Sequence, residues 1–269
     1  MPPRFTVLGS GTLLPDDGRR SPAHLLEGPG LRALLDCGSG TLHGLDRHGA
    51  DWRGLTHVVF SHYHADHIGD LAPLLFALKH GIRPERREPL TILGPAGLRE
   101  VLDGLSTAFG DWVEDPGFPL RVRELGRDGS WASGDGEVRL RLHPTPHTET
   151  SVAQRWEIGG RVAGYTGDSG PDPGLGTFFA GADLLVAECS VPDDSAMDTH
   201  LTPSSVAELA RAAQPGLLVL THAYPPLAPE ALPDLVRRAG YTGRVEPGRD
   251  GLTVTLEPPG PSTGVPSPG

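Results

Sequence analysis

The chain consists of short apolar runs separated by polar, glycine- and proline-rich breaks. Apolar runs of four to seven residues predict strands at 5–9, 23–27, 31–36, 57–61, 90–94, 120–125, 137–143, 152–158, 161–167, 183–188, 216–222 and 252–257. Apolar residues spaced three and four apart predict helices near 40–49, 67–80, 96–108, 203–213 and 229–239. Strands outnumber helices and open the chain one after another, which favours mixed sheets covered by helices over a regular parallel βαβ array.

Length and composition fit a single domain. The chain has 269 residues, of which 37% are hydrophobic, enough for one large core, and we place the domain at 1–257. Residues 258–269, "PPGPSTGVPSPG", offer almost nothing to bury and predict a disordered tail. No apolar run approaches the ~18–20 residues of a membrane helix, and the start "MPPRFTVLGSG" lacks a signal-peptide pattern. We therefore expect a cytoplasmic protein with no membrane partner.

The charge balance bears on partners. The net charge is −11 at pH 7, with 34 acidic against 23 basic residues. Nucleic-acid phosphates are bound mainly through clustered Lys and Arg, so this balance disfavours broad, unaided binding to RNA or DNA. It leaves room for a local basic pocket. The two cysteines are too few for a disulfide framework or a thiolate zinc site.

The stretch "VVFSHYHADHIGD" (58–70) crowds polar side chains behind an apolar strand. In an extended segment alternate side chains share a face, so His62 and His64 can point at one ion. Asp66 and His67 fall at the start of the next helical segment. Neutral imidazole and carboxylate are ligands suited to Zn, Mn or Fe. Burying three imidazoles and a carboxylate without a counter-charge would be costly, so the cluster predicts a metal site.

Other strand ends carry matching residues. His147 follows "VRLRLHPTP", Asp168 follows "RVAGYTG", and His222 ends "GLLVLTH". Loops at strand ends present side chains from a rigid sheet. The full set, HxHxDH followed by His, Asp and His, resembles the metallo-β-lactamase superfamily over about residues 4–257. The resemblance implies an α/β fold, a four-layer αβ/βα sandwich, with a dinuclear metal centre at the edge of the two sheets.

Carried over position by position, the superfamily pattern implies the ligands of two divalent metal ions, for which zinc is the first choice and manganese or iron are alternatives. The first metal would be held by His62, His64 and His147, the second by Asp66, His67 and His222, with Asp168 as the bridge. Two such dications share a water and lower its pKa, which provides a hydroxide near neutral pH. The resemblance further suggests that Asp66 orients this nucleophile or takes its proton.

Within the superfamily the chain is most similar to the ribonuclease Z group and its small phosphodiesterase relatives. The similarity lies in the opening loop "VLGSGTLLPDDGRRSPAHLLE", the turn "PLTILGPAGL" and the late segment "LLVAECSVPDDSAMDTHLTPSSVAELARAAQPGLLVLTHAYP". In this group Glu188 and His200 match an acidic strand end and a His–x–Thr loop. A histidine near the leaving oxygen can protonate it, with the glutamate fixing the tautomer.

Three departures qualify the resemblance. The opening loop lacks the expected lysine, which leaves Arg19 and Arg20 to hold a phosphate. The acidic strand reads "AECS", so only Glu188 is shared there. Only 20 residues separate His147 from Asp168, too few for the long tRNA-binding arm of typical ribonuclease Z proteins. The basic stretch 79–89, "KHGIRPERREP", is the sole alternative long enough to be considered, and a solvated loop is its simpler interpretation.

The sequence thus predicts a dinuclear metal-dependent hydrolase, a phosphodiesterase acting on a small, cyclic or nucleotide phosphodiester or on an RNA end. RNA is disfavoured by the net charge and the missing arm. A hydrolase of another bond, such as a lactone, thioester, sulfate ester or β-lactam, is the close alternative, because it would need neither His200 nor the arginine pair. A catalytically inactive metal-binding protein is the weaker alternative. The group resemblance also suggests a homodimer.

Overall fold

The structure is a computed structural model that describes residues 2–16 and 18–257. The predicted tail at 258–269 lies outside the described residues. The strands are β1 (Arg4–Gly9), β2 (Ala23–Gly28), β3 (Leu31–Leu35), β4 (His57–Val59), β5 (Leu90–Gly94), β6 (Leu120–Glu124), β7 (Ser130–Ala132), β8 (Val138–Pro144), β9 (Val152–Ile158), β10 (Arg161–Tyr165), β11 (Leu184–Glu188), β12 (Leu217–Thr221), β13 (Val245–Pro247) and β14 (Thr253–Thr255). The helices are α1 (Thr41–Arg47), α2 (Ala65–Ile68), α3 (Leu71–His80), α4 (Leu98–Phe109), α5 (Pro173–Phe178), α6 (Pro203–Ala213) and α7 (Leu232–Arg238).

The strands form two mixed seven-stranded sheets. The first has the order β14-β1-β2-β3-β4-β5-β6 and the second the order β13-β12-β11-β10-β9-β8-β7. In the first sheet β3 to β6 run parallel, and in the second β10 to β13 do. Antiparallel hairpins complete both sheets, so that each one is mixed, as the sequence predicts.

Three apolar clusters lie between the four layers of helices and sheets. One lies between the two sheets and is built from inward-facing residues of both, with Phe5 and Trp156 among its largest buried side chains. The second joins the outer face of the first sheet to α1, α3 and α4. The third joins the outer face of the second sheet to α5, α6 and α7. Because each sheet buries both faces, its central strands are nearly continuous apolar runs. The predicted αβ/βα sandwich is confirmed.

Some boundaries differ from the prediction. The helix expected over 67–80 is two helices, α2 and α3, separated at Gly69–Asp70. Strands β7 and β13 and helix α5 are short elements that the pattern does not predict. The helix α6 begins as expected, with the Thr202 side chain accepting a hydrogen bond from the Ser205 amide. Within the described residues, every helix is too short or too polar to cross a bilayer.

Candidate metal centre

The structure brings the seven predicted ligands together where the carboxyl ends of parallel strands from both sheets meet. Two groups of potential ligand atoms, each within 4.8 Å of one another, match the prediction, and a third group joins His200 to Asp168 and His222. The first contains His62, His64, His147 and Asp168; the second contains Asp66, His67 and His222. Most of these side chains are buried, and His64 is the exposed member. Five of the residues come from loops that follow β4, β8, β10 and β12, and Asp66 and His67 come from helix α2.

Local backbone geometry explains how one short segment serves both groups. His62 and His64 lie in the extended loop after β4, and His64 caps α2 with an extended backbone. The chain then turns into α2, which carries Asp66 and His67 towards the second group. The loop after β3 packs directly against this helix. A Cβ on Gly38 would lie 1.9 Å from the carbonyl oxygen of Asp66, so only glycine allows this approach.

A buried carboxylate that the sequence analysis did not identify orients two of the ligands. Asp36 is fully buried and accepts hydrogen bonds from the Ser61 amide (2.7 Å) and hydroxyl (2.7 Å), His67 Nδ1 (2.8 Å) and the Tyr165 hydroxyl (2.7 Å). The Ser61 hydroxyl has one proton and donates it to Asp36, so its oxygen accepts from His62 Nδ1 at 3.0 Å. Both rings therefore carry hydrogen on Nδ1 and leave Nε2 bare.

Two further histidines are fixed in the same tautomer. The Ser190 hydroxyl donates to the carbonyl of His222 at 2.7 Å and accepts from His222 Nδ1 at 3.0 Å. His147 donates from Nδ1 to the carbonyl of Thr199 at 2.9 Å. In each ring Nε2 is therefore unprotonated and is available as a metal ligand. His222 itself has a positive φ of 60°, a strained conformation held by the hydrogen bond from its amide to Ser10.

The Asp168 carboxylate lies between the two groups. Its Oδ2 is 3.8 Å from His62 Nε2 and 3.6 Å from His147 Nε2, whereas its Oδ1 is 3.4 Å from His67 Nε2 and 3.7 Å from His222 Nε2. One oxygen therefore faces each set of imidazoles. This arrangement is what a carboxylate bridging two cations requires.

The donor set fits divalent cations. Within the described chain, Nε2 of His62 and Nε2 of His67 are buried without a hydrogen-bond partner, an expensive condition unless a cation is bound there. His147 Nε2 lies 3.0 Å from His64 Nδ1. Because the His147 ring is protonated at Nδ1, its Nε2 offers a lone pair. Nitrogen and oxygen donors of this kind suit zinc, with manganese and iron also compatible.

The pKa shifts follow from burial and charge. Burial lowers the pKa of His62 well below its usual value, which keeps this ring neutral as a ligand must be. Burial opposes the charged form of Asp168, yet His222 and His67 hold the pKa of this carboxyl well below its usual range. Although burial opposes it, Asp168 and Asp36 raise the pKa of His67, so the pocket favours positive charge at this point.

His200 and Glu188 meet beside the cluster. His200 Nδ1 is 3.0 and 3.1 Å from the two carboxylate oxygens of Glu188, which also accept from the amides of Ser169 (2.6 Å) and Leu201 (3.2 Å). Glu188 is buried, and both of its carboxylate oxygens accept hydrogen bonds. The His200 ring centroid lies 4.8 Å from that of His147. Burial works against it, but the hydrogen bond to Glu188 raises the pKa of His200.

The predicted arginine pair already has carboxylate partners. Arg20 donates to Asp250 at 3.0 Å, and Asp250 also accepts from the Ser10 amide and hydroxyl at 2.9 Å each. This ion pair ties the opening loop to the turn before β14. Arg19 pairs with Asp16 in its own loop. Any contact of either guanidinium with a phosphate would add to, or replace, these pairs.

Several contacting residues are absent from the sequence-based prediction. They are Asp36, Ser61, Ser190, Thr199 and Tyr224, whose ring centroid lies 5.4 Å from that of His222. Asp36 did carry a signal, because it is a carboxylate placed directly after the apolar strand "LRALL". The serines and Thr199 carry none, since their role depends on partners far along the chain.

Fold and site together define a metal-dependent hydrolase. Residues 32–223 match the family described as "Beta-lactamase superfamily domain", and the chain belongs to this superfamily. Ribonuclease Z of Mycobacterium bovis (strain BCG / Pasteur 1173P2) is 31% identical over 94% of this chain and 98% of its own length. Ribonuclease Z of Mycobacterium marinum (strain ATCC BAA-535 / M) is 32% identical over 91% and 96%.

Solved structures agree with this assignment. The metallo-β-lactamase fold protein YhfI from Bacillus subtilis superposes with a TM-score of 0.83 at 25% identity, covering 94% of this chain and 99% of that one. The short form of human tRNase Z shares the fold, with a TM-score of 0.75 at 24% identity and the same coverage. The predicted resemblance to the ribonuclease Z-like group and the predicted enzyme class are confirmed.

Proposed function

We propose that this protein hydrolyses phosphodiesters at a dinuclear zinc centre and that its substrate is a small or nucleotide phosphodiester. The position of Asp168 carries the dinuclear part of this proposal, because one carboxylate oxygen faces each of the two imidazole sets. One cation would be held by His62, His64 and His147 and the other by Asp66, His67 and His222, with Asp168 between them. Bound there, the two cations would supply electrophilic charge for a phosphoryl group and acidify a water molecule.

The chain's own residues provide the proton transfers. Asp66 is nearly buried, and its Oδ2 lies 3.4 Å from His222 Nε2. Burial opposes the charged form of Asp66, yet the neighbouring His67 and His222 hold the pKa of this carboxyl below its usual value, so the ionised carboxylate can orient or deprotonate the attacking water. On the other side of the cluster, His200 is held by Glu188 with a raised pKa. A ring that holds its proton near neutral pH can donate it to a departing alkoxide.

The His200–Glu188 pair favours a phosphodiester over a thioester. A thioester expels a weakly basic thiolate that departs without a proton, whereas a phosphodiester with an alkyl leaving group expels an alkoxide and gains greatly from a general acid. The names of the relatives, ribonuclease Z and tRNase Z, are consistent with this bond type. The metal ligands alone would support hydrolysis of either kind of bond.

The surroundings of the site favour a small or nucleotide substrate. Between His147 and Asp168 the chain forms only the β9–β10 hairpin, which turns at Gly159–Gly160 and projects no arm. The basic stretch 79–89 is the end of α3 and a short loop. Its Arg86 points inward and donates to the carbonyls of Arg53 and Leu55 at 2.6 and 2.7 Å. The stretch therefore supplies a fixed loop rather than an RNA-gripping arm.

An apolar rim borders the site. It contains Met197 (44% exposed) and Tyr224, and the exposed Leu13 (60%) and Leu14 (43%) follow Ser10, whose carbonyl accepts from the His222 amide. Met197 pairs with His200 in an isolated β-bridge, and the Tyr224 ring lies 6.1 Å from that of His200. A rim of this kind suits a nucleobase next to the scissile phosphate, because bases stack on apolar and aromatic side chains.

The proposal is tested with one substrate panel. Bis(p-nitrophenyl) phosphate, a precursor tRNA, a lactone and a β-lactam are offered to zinc- and manganese-loaded protein. Asp168→Asn serves as the inactive variant and Asp172→Asn as its matched control, because Asp172 pairs with His143 outside both ligand groups. We expect turnover of the diester, lost in Asp168→Asn and kept in Asp172→Asn. Turnover of the lactone or β-lactam without the diester would refute the proposed bond type.

A further inference from the structure

A second cleft opens between the two sheets at the end away from the metal centre. It has a volume of about 700 Å³ and lies between the amino ends of β3 to β6 and the β7–β8 hairpin. His57 lines the cleft, five residues before the ligand His62 on the same extended segment. At about 3.3 Å per residue this places the cleft roughly 15 Å from the metal ligands.

Two arginines occupy positions in this cleft that an apolar side chain would normally fill. On β6, Leu120 and Val122 pack towards α4 and the helical layer, so Arg121 and Arg123 face the opposite sheet. The next residue on that face, Leu125, packs against the core between the sheets. The two guanidiniums thus stand side by side at the open end of this core. In the part of the chain that the structure describes, neither makes a salt bridge.

An aromatic surface lies across from the arginines. Trp131 of β7 borders the cleft, and its ring centroid is 4.8 Å from His57 and 6.5 Å from Trp156. These edge contacts fix the indole between the sheets. Two carboxylates also border the cleft. Asp135 accepts from the Ser133 hydroxyl and the Glu137 amide of its own turn, Glu88 is exposed, and neither forms a salt bridge with the arginine pair in the described chain.

We propose that this cleft binds a nucleotide, with the phosphate held by Arg121 and Arg123 and the base against Trp131. Guanidinium groups match phosphate oxygens in a bidentate geometry, and two on one face of a strand, about 7 Å apart along it, can share one phosphate. Nucleobases stack on indole rings. A cavity of several hundred Å³ has the size of known small-ligand sites. This site is separate from the metal centre and independent of the proposed diesterase activity.

Binding of AMP to the full-length, zinc-loaded protein tests the proposal by isothermal titration calorimetry, with adenosine and inorganic phosphate as part-ligands. The variant Arg121→Gln/Arg123→Gln removes the pair. Arg139→Gln/Arg141→Gln removes an equally spaced, exposed pair from β8 and controls for the loss of charge. Trp131→Leu removes the stacking surface alone. The difference between the wild-type and R121Q/R123Q isotherms isolates this site from any AMP bound at the metal centre.

We expect R121Q/R123Q to weaken AMP binding at this site by about tenfold or more, and R139Q/R141Q to change it by less than about twofold. Trp131→Leu should weaken AMP and leave inorganic phosphate unchanged. Turnover of bis(p-nitrophenyl) phosphate should be the same in wild type and R121Q/R123Q. Superimposable AMP isotherms for wild type and R121Q/R123Q, or an equal loss in the β8 control, would overturn the proposal. The single variants Arg121→Gln and Arg123→Gln decide the matter should the double variant fold poorly.

Discussion

Asp36 accepts a 2.8 Å hydrogen bond from Nδ1 of His67, and both side chains are completely buried. Through the Ser61 hydroxyl, which donates to Asp36 at 2.7 Å, the same carboxylate also fixes the ring of His62. His62 and His67 belong to different ligand groups. One carboxylate that touches no proposed cation therefore sets the tautomer of a ligand in each group.

This relationship predicts that Asp36→Asn weakens both metal sites. An amide in place of the carboxylate cannot accept all four hydrogen bonds, so His67 and His62 lose their fixed orientation. Outer hydrogen-bond partners of this kind typically change metal affinity by about 10–100-fold. Competition with a chromophoric zinc chelator measures the affinity of each site. Asp70→Asn is the matched control, because Asp70 accepts from the Leu42 amide nearby without touching a ligand. Weakening of one site alone would contradict the shared role.

His200→Ala should act selectively on poor leaving groups. The loss of a general acid costs about 10²–10⁴-fold where an alkoxide must be protonated, and far less for bis(p-nitrophenyl) phosphate, whose p-nitrophenolate departs unaided. Glu188→Gln should show the same selectivity to a smaller extent, since it weakens the hydrogen bond that holds His200. Steady-state kinetics on alkyl and p-nitrophenyl diesters of one nucleoside check this. Equal losses on both substrates would remove the acid role.

The two arginines of the opening loop should behave differently. Arg20→Gln leaves Asp250, whose side chain is 5% exposed, without its charge partner, so we expect the free energy of unfolding to fall by about 1–3 kcal/mol. Arg19→Gln removes a pair within one loop whose acidic member, Asp16, is 36% exposed, and should change that free energy by less than about 0.5 kcal/mol. If Arg19 holds a phosphate, KM for an anionic diester should rise in this variant. Urea unfolding measures the free energy of unfolding of both variants, and diester kinetics measure their KM. An Arg20→Gln protein as stable as the wild type would contradict the expected loss of stability.

Acid should destabilise the fold partly through His57. Burial lowers the pKa of His57 from 6.5 to about 4, so the unfolded chain takes up a proton that the folded ring refuses. The free energy of unfolding therefore falls as the pH drops from about 6.5 to about 4, by about 1–3 kcal/mol from this group. His57→Gln should flatten that slope, whereas His43→Gln, at an exposed position of α1, should leave it unchanged. Denaturant unfolding from pH 4 to 7 with a chelator present measures the difference. If the free energy of unfolding fell with pH as steeply in His57→Gln as in the wild type, the role of His57 would be contradicted.

The candidate metal ligands could be predicted from the sequence because five of them come shortly after an apolar strand, and the ends of parallel strands meet at one edge of a sheet. Asp168 after "RVAGYTG" and His222 at the end of "GLLVLTH" are of this kind. The pattern depends only on local sequence order. Mixed sheets covered by helices are predictable because strand-length apolar runs outnumber helical ones, whereas the four-layer sandwich is implied by the resemblance to the metallo-β-lactamase superfamily.

The hydrogen-bonding partners could not be predicted, because their role depends on pairing over long sequence distances. Tyr165 donates to Asp36 across 129 residues, and Ser190 holds His222 across 32. Short edge strands such as β7, "SWA", have too few residues to show alternation. The inward position of Arg86 is likewise invisible in a stretch as basic as "RPERREP", because burial of this guanidinium depends on carbonyls of Arg53 and Leu55.

The zinc content of the purified chain tests the central claim most directly. After loading with excess zinc and gel filtration, inductively coupled plasma mass spectrometry should find two zinc ions per chain, because each ligand group supplies three imidazole or carboxylate donors besides Asp168, whose two oxygens face the two groups. A content of one zinc or none per chain would contradict a dinuclear centre.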